Sequence, residues 1–230
     1  MNILQSSEIE RVEELEKIPD PSRRRFFQLA GGMAGAGLLF AACHPVTKPT
    51  DIYLGKGDIA LLNFLYVLEQ LEADFYTKAV TGAYLGISSN EYLALIDVRD
   101  QEIAHREYIK SLLGPTNISK PVITNFSGVN FADRASVLQN ASVLEDLVIA
   151  GFNGAAGLFT DTAYPLSFLK LVSVEGRHSA YFRDALSHNN FADTTVVDIN
   201  GLNQSMPPLA VLTTAQQFLT SRFDSSNLPQ

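Results

Sequence analysis

Two glutamate–histidine pairs are the residues of this sequence whose types and spacing could do chemistry. Glu102 precedes His105 by three residues in QEIAHREYIK, and Glu175 precedes His178 by three residues in VEGRHSAYFR. The chain has only four histidines, so the repeated pattern involves half of them. Residues three apart lie on one face of a helix. Each pair is therefore either a surface ion pair or part of a metal site built from carboxylate and imidazole.

The hydrophobic pattern places both pairs on the inner faces of their helices. Apolar residues precede and follow Glu102 and His105 in alternating steps of three and four, from Leu95 to Leu112. The same steps surround the second pair. A solvated pair would lie out of phase with the apolar stripe, whereas these pairs lie within it. The pattern therefore favours buried polar pairs over surface pairs.

Two further glutamates stand at matching places in the two halves of the chain. Glu69 precedes Tyr76 by seven residues, and Glu145 precedes Phe152 by seven residues. Each half therefore repeats the order glutamate, aromatic residue, Glu-x-x-His. Glu72 also falls on the inner face of its helix, but the second half has no glutamate at the corresponding position. The repeat selects Glu69 as the ligand and leaves open whether Glu72 also binds metal.

Four carboxylates and two imidazoles would converge inside an apolar bundle if these helices pack together. Buried carboxylates are costly without a counter-charge, and neighbouring like charges add to that cost. Two divalent cations would balance four carboxylates, and the donor set suits iron or manganese. The six predicted metal ligands are Glu69, Glu102, His105, Glu145, Glu175 and His178.

The helices that must position these residues follow from 3.6-residue periodicity and from Gly and Pro. Their predicted spans are about 58–80, 89–113, 133–157 and 165–186, with a shorter helix from Pro207-Pro208 to about 223. The connection over 114–132 is long and the other two are short. This order predicts an all-α four-helix bundle over 58–187 with one long crossover, followed by a C-terminal extension over 188–230.

This combination resembles the ferritin-like superfamily over about residues 58–187. A glutamate from each of two helices and Glu-x-x-His from each of the other two is the ligand pattern of its di-iron and di-manganese proteins. The segment LNFLYVLEQLEADFY is similar to exported ferritin-like domain proteins of the desiccation-related type. The resemblance implies a ferritin-like four-helix bundle that holds two iron or manganese ions.

The resemblance also implies a role for each residue. Glu102 and Glu175 would bridge the two metal ions, and each of the other four ligands would bind one ion. Tyr76 would be the candidate catalytic residue, which hydrogen-bonds a ligand or donates an electron. Phe152 places an inert ring at the matching position in the second half.

A targeting segment is predicted over residues 1–43. The stretch SRRRFFQLAGGMAGAGLLFAAC contains Arg23 and Arg24 before a short apolar run, and it resembles a twin-arginine export signal. Cys43 follows the apolar run at the place of a lipidated cysteine. The alternatives are a plain signal peptide, or an uncleaved anchor, with an incidental cysteine. Residues 44–57 are rich in Pro and Gly and are interpreted as a tether.

The charge and the targeting segment together narrow the partners. The net charge is −8, with 17 basic residues and no basic run outside the N-terminal arginines, which argues against nucleic-acid binding. The expected partners are the twin-arginine export machinery, the membrane through a lipid on Cys43, and a second copy or a related ferritin-like chain. The expected location is that of an exported bacterial protein, as a periplasmic or cell-envelope lipoprotein.

Three functions are compatible with these features. The first is reaction of a di-iron or di-manganese site with dioxygen or peroxide, in handling metal, oxidative or desiccation stress. It would make the protein a ferroxidase or a peroxide-reactive oxidoreductase. The second is metal binding or iron storage without turnover, and the third is a structural stress-protective role at the cell surface. The single cysteine provides no rubredoxin-like pair, which disfavours rubrerythrin-like reductase chemistry. Substrate and metal identity stay open.

Overall fold

A computed structural model describes residues 51–230. The predicted signal segment, with Arg23, Arg24 and Cys43, lies outside the described residues, as does the first half of the predicted tether. Residues 51–230 belong to one compact unit, so the C-terminal extension folds together with the bundle. Within 51–230, no helix is long and apolar enough to cross a membrane.

The predicted all-α architecture is confirmed. The long helices are α1 (Gly57–Thr81), α2 (Ser89–Asn117), α3 (Arg134–Ala156) and α4 (Ala163–Leu186). The C-terminal extension contributes α5 (Pro208–Ala215) and a 3₁₀ turn (Gln216–Phe218). Two short parallel strands, β1 (Ile52–Tyr53) and β2 (Phe223–Asp224), pair near the two ends of the described chain.

Local sequence signals explain where α2 and α3 begin and where α2 is interrupted. The Ser88 hydroxyl accepts from the Glu91 N–H, and the Asp133 carboxylate accepts from the Ser136 N–H, so each caps the helix that follows. Gly114 has φ 64°, a conformation that suits glycine, and interrupts α2 at the predicted position before one last turn. Asp58 stands at the predicted start of α1 but does not cap that helix. Its carboxylate accepts from the backbone N–H groups of Thr160 and Asp161 in the α3–α4 connection.

The four helices pack as two hairpins, α1 with α2 and α3 with α4, and α1 is the most deeply buried of them. α1 packs closely on α2, α3 packs closely on α4, and α1 also contacts α3. Every residue of α1 from Ala60 to Ala73 is buried. A helix that is buried on all sides must be covered by more than its bundle partners. The crossover between α2 and α3 and the C-terminal extension supply that cover.

Amide side chains of α1 bind the crossover. Asn63 donates to the carbonyls of Leu54 and Asn117 and accepts from the Ser119 N–H. Gln70 accepts from the Val122 N–H in the same way. These bonds satisfy polar side chains that α1 would otherwise bury without partners. They fix the end of α2 and the start of the crossover against α1.

The C-terminal extension contacts α3 through a close backbone approach. The Met206 N–H donates to the Ala150 carbonyl, and a Cβ at Gly154 would lie only 1.8 Å from the Met206 carbonyl oxygen. The helix that follows ends at Ala215, earlier than the predicted end near 223. Its continuation is replaced by a 3₁₀ turn and by backbone pairing of Leu219 with Thr124 in the crossover.

Candidate metal centre

The six residues predicted as metal ligands lie together in the interior of the bundle, one set on each helix. All four glutamates are fully buried, and the two histidines expose 7% and 5% of their surface. α1 and α3 each supply one glutamate, and α2 and α4 each supply a glutamate and a histidine. The helical phase that placed these side chains inward at the sequence level therefore matches their position in the fold.

The donor atoms form two groups that share two carboxylates. One group contains Glu69, Glu102, His105 and Glu175, and the other contains Glu102, Glu145, Glu175 and His178. In each group every residue offers a donor atom within 4.8 Å of the others. Because Glu102 and Glu175 belong to both groups, the arrangement offers two adjacent positions for cations with two carboxylates between them.

Both histidines direct Nδ1 toward the carboxylates. His105 Nδ1 lies 2.6 Å from a Glu175 oxygen and 3.3 Å from a Glu102 oxygen. His178 Nδ1 lies 2.8 Å from the other Glu102 oxygen and 3.5 Å from Glu145. The two imidazole rings lie with their centroids 6.4 Å apart. Nδ1 is therefore the donor atom that each histidine presents to its cation position.

Without a cation, burial and mutual repulsion disfavour the ionised form of several of these carboxylates. Burial raises the pKa of Glu69 and of Glu72 well above the ordinary value, and nearby carboxylates raise it further. Burial also raises the pKa of Glu145 to about 8, although the charge of His178 opposes the shift. Near neutral pH, the metal-free cluster must therefore retain protons on part of its carboxylates.

The histidines carry the compensating charge in the metal-free cluster. Burial disfavours the charged ring of His105, but hydrogen bonds to Glu102 and Glu175 outweigh it and raise its pKa to about 11. Neighbouring carboxylates, above all Glu145, likewise raise the pKa of His178. Hydrogen bonds from the two rings overcome the effect of burial on Glu102 and lower its pKa to about 2. Cations would displace these protons and take over their role.

Buried oxygens without partners show that the donor set fits a pair of cations. Within residues 51–230, both oxygens of Glu69 and one oxygen of Glu145 have no hydrogen-bond partner. One oxygen each of Glu102 and Glu175 has only a histidine Nδ1 beside it, at 2.8 and 2.6 Å. Buried carboxylate oxygens are rarely left in that state, because desolvation costs free energy. Divalent cations would satisfy these oxygens and balance their charge, and carboxylate with imidazole is the donor chemistry of iron and manganese sites.

The comparison with known protein families agrees with this geometry. The family model described as ferritin-like domain matches residues 57–188, which is more than half of the chain. The chain belongs to the ferritin-like domain family. No curated protein matches the sequence. The matched segment contains all four long helices of the ferritin-like bundle and every residue of the two donor groups.

Glu72 is a fifth carboxylate beside the ferritin-like site. It is fully buried on α1, one turn after Glu69, and neither of its oxygens has a hydrogen-bond partner in the described chain. It belongs to neither of the two donor groups. The structure therefore places Glu72 as a neighbour of the candidate metal ligands, in a position where its pKa is raised by burial and by Glu145.

Tyr76 contacts the cluster through its hydroxyl, which donates to a Glu145 oxygen. Its ring is fully buried and stacks on Phe182, with centroids 5.5 Å apart. Phe152, at the matching position of the second half, packs instead against Phe168 with centroids 5.6 Å apart. Among residues 51–230, a phenol therefore contacts the outer carboxylate on the Glu145 side of the site and not on the Glu69 side.

Sequence reasoning missed two polar contacts around the site. The amide oxygen of Gln101 on α2 accepts from His178 Nε2 at 3.1 Å, although Gln101 itself is exposed. Behind the site, Asp146 accepts from the Ser179 hydroxyl and from Arg183. Each contact joins two different helices, so spacing along one helix could not reveal it. The only available signal was that Gln101 and Asp146 each adjoin a predicted ligand.

Proposed function

We propose that this chain is an exported ferritin-like protein that uses a pair of iron or manganese ions in reactions with dioxygen or peroxide. The proposed setting is metal, oxidative or desiccation stress. The observation that supports it is the pair of buried donor groups that share Glu102 and Glu175. Sharing two carboxylates distinguishes this arrangement from two independent single-ion sites.

Each ligand has a defined task in this proposal. Glu102 and Glu175, which belong to both donor groups, would hold both ions, and a pair of adjacent ions would supply coupled one-electron changes. Glu69 with His105, and Glu145 with His178, complete one position each. Bound there, iron or manganese would supply two-electron redox chemistry toward dioxygen or peroxide.

The surrounding side chains orient the ligands and exclude water. Tyr76 donates a hydrogen bond to Glu145, which fixes the orientation of that carboxylate and leaves its other oxygen free. The apolar rings of Phe75 and Phe182 enclose Tyr76, with centroids 5.1 and 5.5 Å from its ring. A phenol in this position can deliver a proton or an electron to the site without contact with bulk water.

The proposal is tested by metal content and turnover of the purified chain. Metal-free protein is loaded anaerobically with Fe(II) or Mn(II), and bound metal is measured before exposure to dioxygen or to peroxide. We expect about two ions per chain and consumption of oxidant in proportion to bound metal. Glu102→Gln should lose most of the bound metal, because it removes a carboxylate that both positions share.

Asp97→Asn is the matched control, since Asp97 is an exposed carboxylate on the same helix. It should bind metal like the natural chain. If the natural chain binds no metal, or if Glu102→Gln binds as much as Asp97→Asn, the proposed site is wrong. If metal binds at the expected ratio but oxidant is not consumed, a binding function without turnover replaces the redox function.

We also propose export and lipid anchoring, on the basis of the residues that precede the ferritin-like bundle. Arg23 and Arg24 stand before an apolar run that Cys43 directly follows, and all three residues lie outside the described residues. The test is metabolic labelling with a fatty acid, followed by fractionation. Cys43→Ala should abolish label and release the protein from membranes, and Arg23→Lys with Arg24→Lys should block export. An unlabelled natural chain would contradict lipidation.

A further inference from the structure

The two halves of the candidate metal centre differ in one contact of each histidine. His178 presents Nδ1 to the carboxylates, and its other ring nitrogen, Nε2, lies 3.1 Å from Gln101 Oε1. His105 also presents Nδ1 to the carboxylates. For its Nε2, however, the hydrogen bonds of residues 51–230 include no side-chain or backbone partner. Within the described residues, the ring of His178 is therefore hydrogen-bonded at both nitrogens, and the ring of His105 at Nδ1 alone.

The internal repeat explains this difference at the level of sequence. Gln101 directly precedes Glu102, and the residue that directly precedes Glu175 in the second half is Val174. A valine side chain cannot accept a hydrogen bond, so the contact that Gln101 makes with His178 cannot be reproduced for His105 by the equivalent residue. The two halves of the site repeat the same ligand residues, but they differ at the position occupied by Gln101 and Val174.

The contact selects the form of His178 that can bind a cation. A neutral imidazole that binds metal through Nδ1 must carry its proton on Nε2. A hydrogen-bond acceptor at Nε2 stabilises that tautomer, fixes the ring orientation and makes Nδ1 a better donor. The amide oxygen of Gln101 is such an acceptor.

A second contact supports the same half of the site. Glu145, the other ligand that serves only the His178 position, accepts a hydrogen bond from the Tyr76 hydroxyl. In the other half, both oxygens of Glu69 lack a partner among the described residues, and Phe152 stands where a phenol would be needed. Both ligands of one position are thus oriented by outer contacts, and neither ligand of the other position is.

We propose that Gln101 is a positioning residue for His178 and that it makes the Glu145/His178 position the tighter of two unequal metal positions. The Glu69/His105 position is then the weaker one, from which metal exchanges. This inference depends on the proposed dinuclear function, because it assigns different affinities to its two positions. It concerns binding alone and requires no turnover.

Cobalt(II) titration of the metal-free full chain tests the proposal, because bound cobalt is visible by its absorption spectrum. The natural chain should bind in two steps with different affinities. Gln101→Val places at position 101 the residue that stands at the equivalent position 174. It should weaken the higher-affinity cobalt binding step roughly tenfold and leave the lower-affinity step unchanged. Gln101→Glu keeps an acceptor at the same place and should keep the tight step. Val174→Gln should strengthen the weak step.

The outcomes separate this inference from the proposed function. If the natural chain binds no cobalt, the dinuclear function is wrong and the inference is wrong with it. If it binds two ions with equal affinity, or if Gln101→Val leaves the tight step unchanged, the dinuclear function stands and the role of Gln101 is wrong. Loss of binding in Gln101→Glu would also contradict the role, since that variant retains the acceptor. Gln101 is exposed, so these substitutions should not disturb folding.

Discussion

At the scale of single residues, the hydroxyl of Tyr76 is the most specific contact to the candidate ligands. We expect Tyr76→Phe to weaken metal binding about tenfold, because it removes the hydrogen bond that orients Glu145 while keeping the ring and its packing. Isothermal titration with Mn(II) measures the effect. Tyr66→Phe is the matched control, since Tyr66 is also buried on α1 and makes no side-chain hydrogen bond within the described chain. Equal affinities in the two variants would refute the role of Tyr76.

A second prediction at this scale concerns the stability of the metal-free protein as a function of pH. The folded-state pKa values of Glu145, about 8, and His105, about 11, lie above the ordinary values of 4.5 and 6.5. Between pH 5 and 8 the folded state therefore holds more protons than the unfolded state, and the free energy of unfolding falls as pH rises. Glu102, with its pKa lowered to about 2, acts in the opposite direction only below pH 4.5.

The measurement is the melting temperature of the metal-free chain at pH 6, 7 and 8 and constant ionic strength. We expect it to decrease with pH, and we expect the stabilisation by added Mn(II) to increase, since metal competes with protons for the same atoms. Glu145→Gln stays neutral across this range and should flatten the decrease. A melting temperature of the metal-free chain that rises from pH 6 to 8 would contradict the electrostatic account.

The six candidate ligands could be read from the sequence because each signal is local to one helix. Spacing and phase place Glu102 with His105, and the repeat then identifies the glutamates of the other helices. The role of Glu72 could not be decided in this way, because membership of a donor group depends on distances between helices. Gln101 was missed for the same reason, since its partner lies on α4.

At the scale of elements, Gly154 controls how the C-terminal extension contacts α3. A Cβ at this position would overlap the carbonyl of Met206, and that carbonyl is backbone that cannot rotate away. Gly154→Ala should therefore displace the segment around Met206 and destabilise the protein by about 1–3 kcal/mol. Urea denaturation measures the difference.

Gly157→Ala serves as the control for this substitution. Gly157 follows α3 with φ −79°, and a Cβ there would meet nothing within 4 Å. We expect no loss of stability, because alanine adopts this backbone conformation readily. Equal stabilities of the two variants would show that the contact of Met206 with α3 contributes little.

The ends of the helices show which part of the fold sequence signals can predict. The caps at Ser88 and Asp133 and the break at Gly114 depend on a few adjacent residues. The helices that they bound begin at Ser89 and Arg134, within one residue of the predicted starts, and the break follows the predicted end at 113. The short C-terminal helix ends earlier than predicted, because backbone pairing between Leu219 and Thr124 replaces its last turns. This pairing joins Leu219 to a residue about a hundred positions earlier in the chain, and helical periodicity cannot predict such a long-range contact.

At the scale of the whole molecule, the two helical hairpins meet through direct packing on the side of α1 and α3 and through charged groups on the side of α2 and α4. α1 and α3 pack directly against each other, and α5 contacts both. α2 and α4 face each other through the charged cluster, with His178 bound to Glu102 and His105 bound to Glu175. Metal ions in the two donor groups would therefore strengthen mainly the side of the bundle formed by α2 and α4.

Hydrogen exchange with and without metal tests this view of the molecule. Removal of metal by a chelator at constant pH should increase exchange in α2 and α4, while α1 stays protected by the crossover and the C-terminal extension, which cover it independently of the site. Glu102→Gln should show the exchange of the metal-free chain under both conditions. Exchange that increases equally in all helices would mean that metal stabilises the fold globally, and exchange that does not change would mean that metal is not needed to join the hairpins.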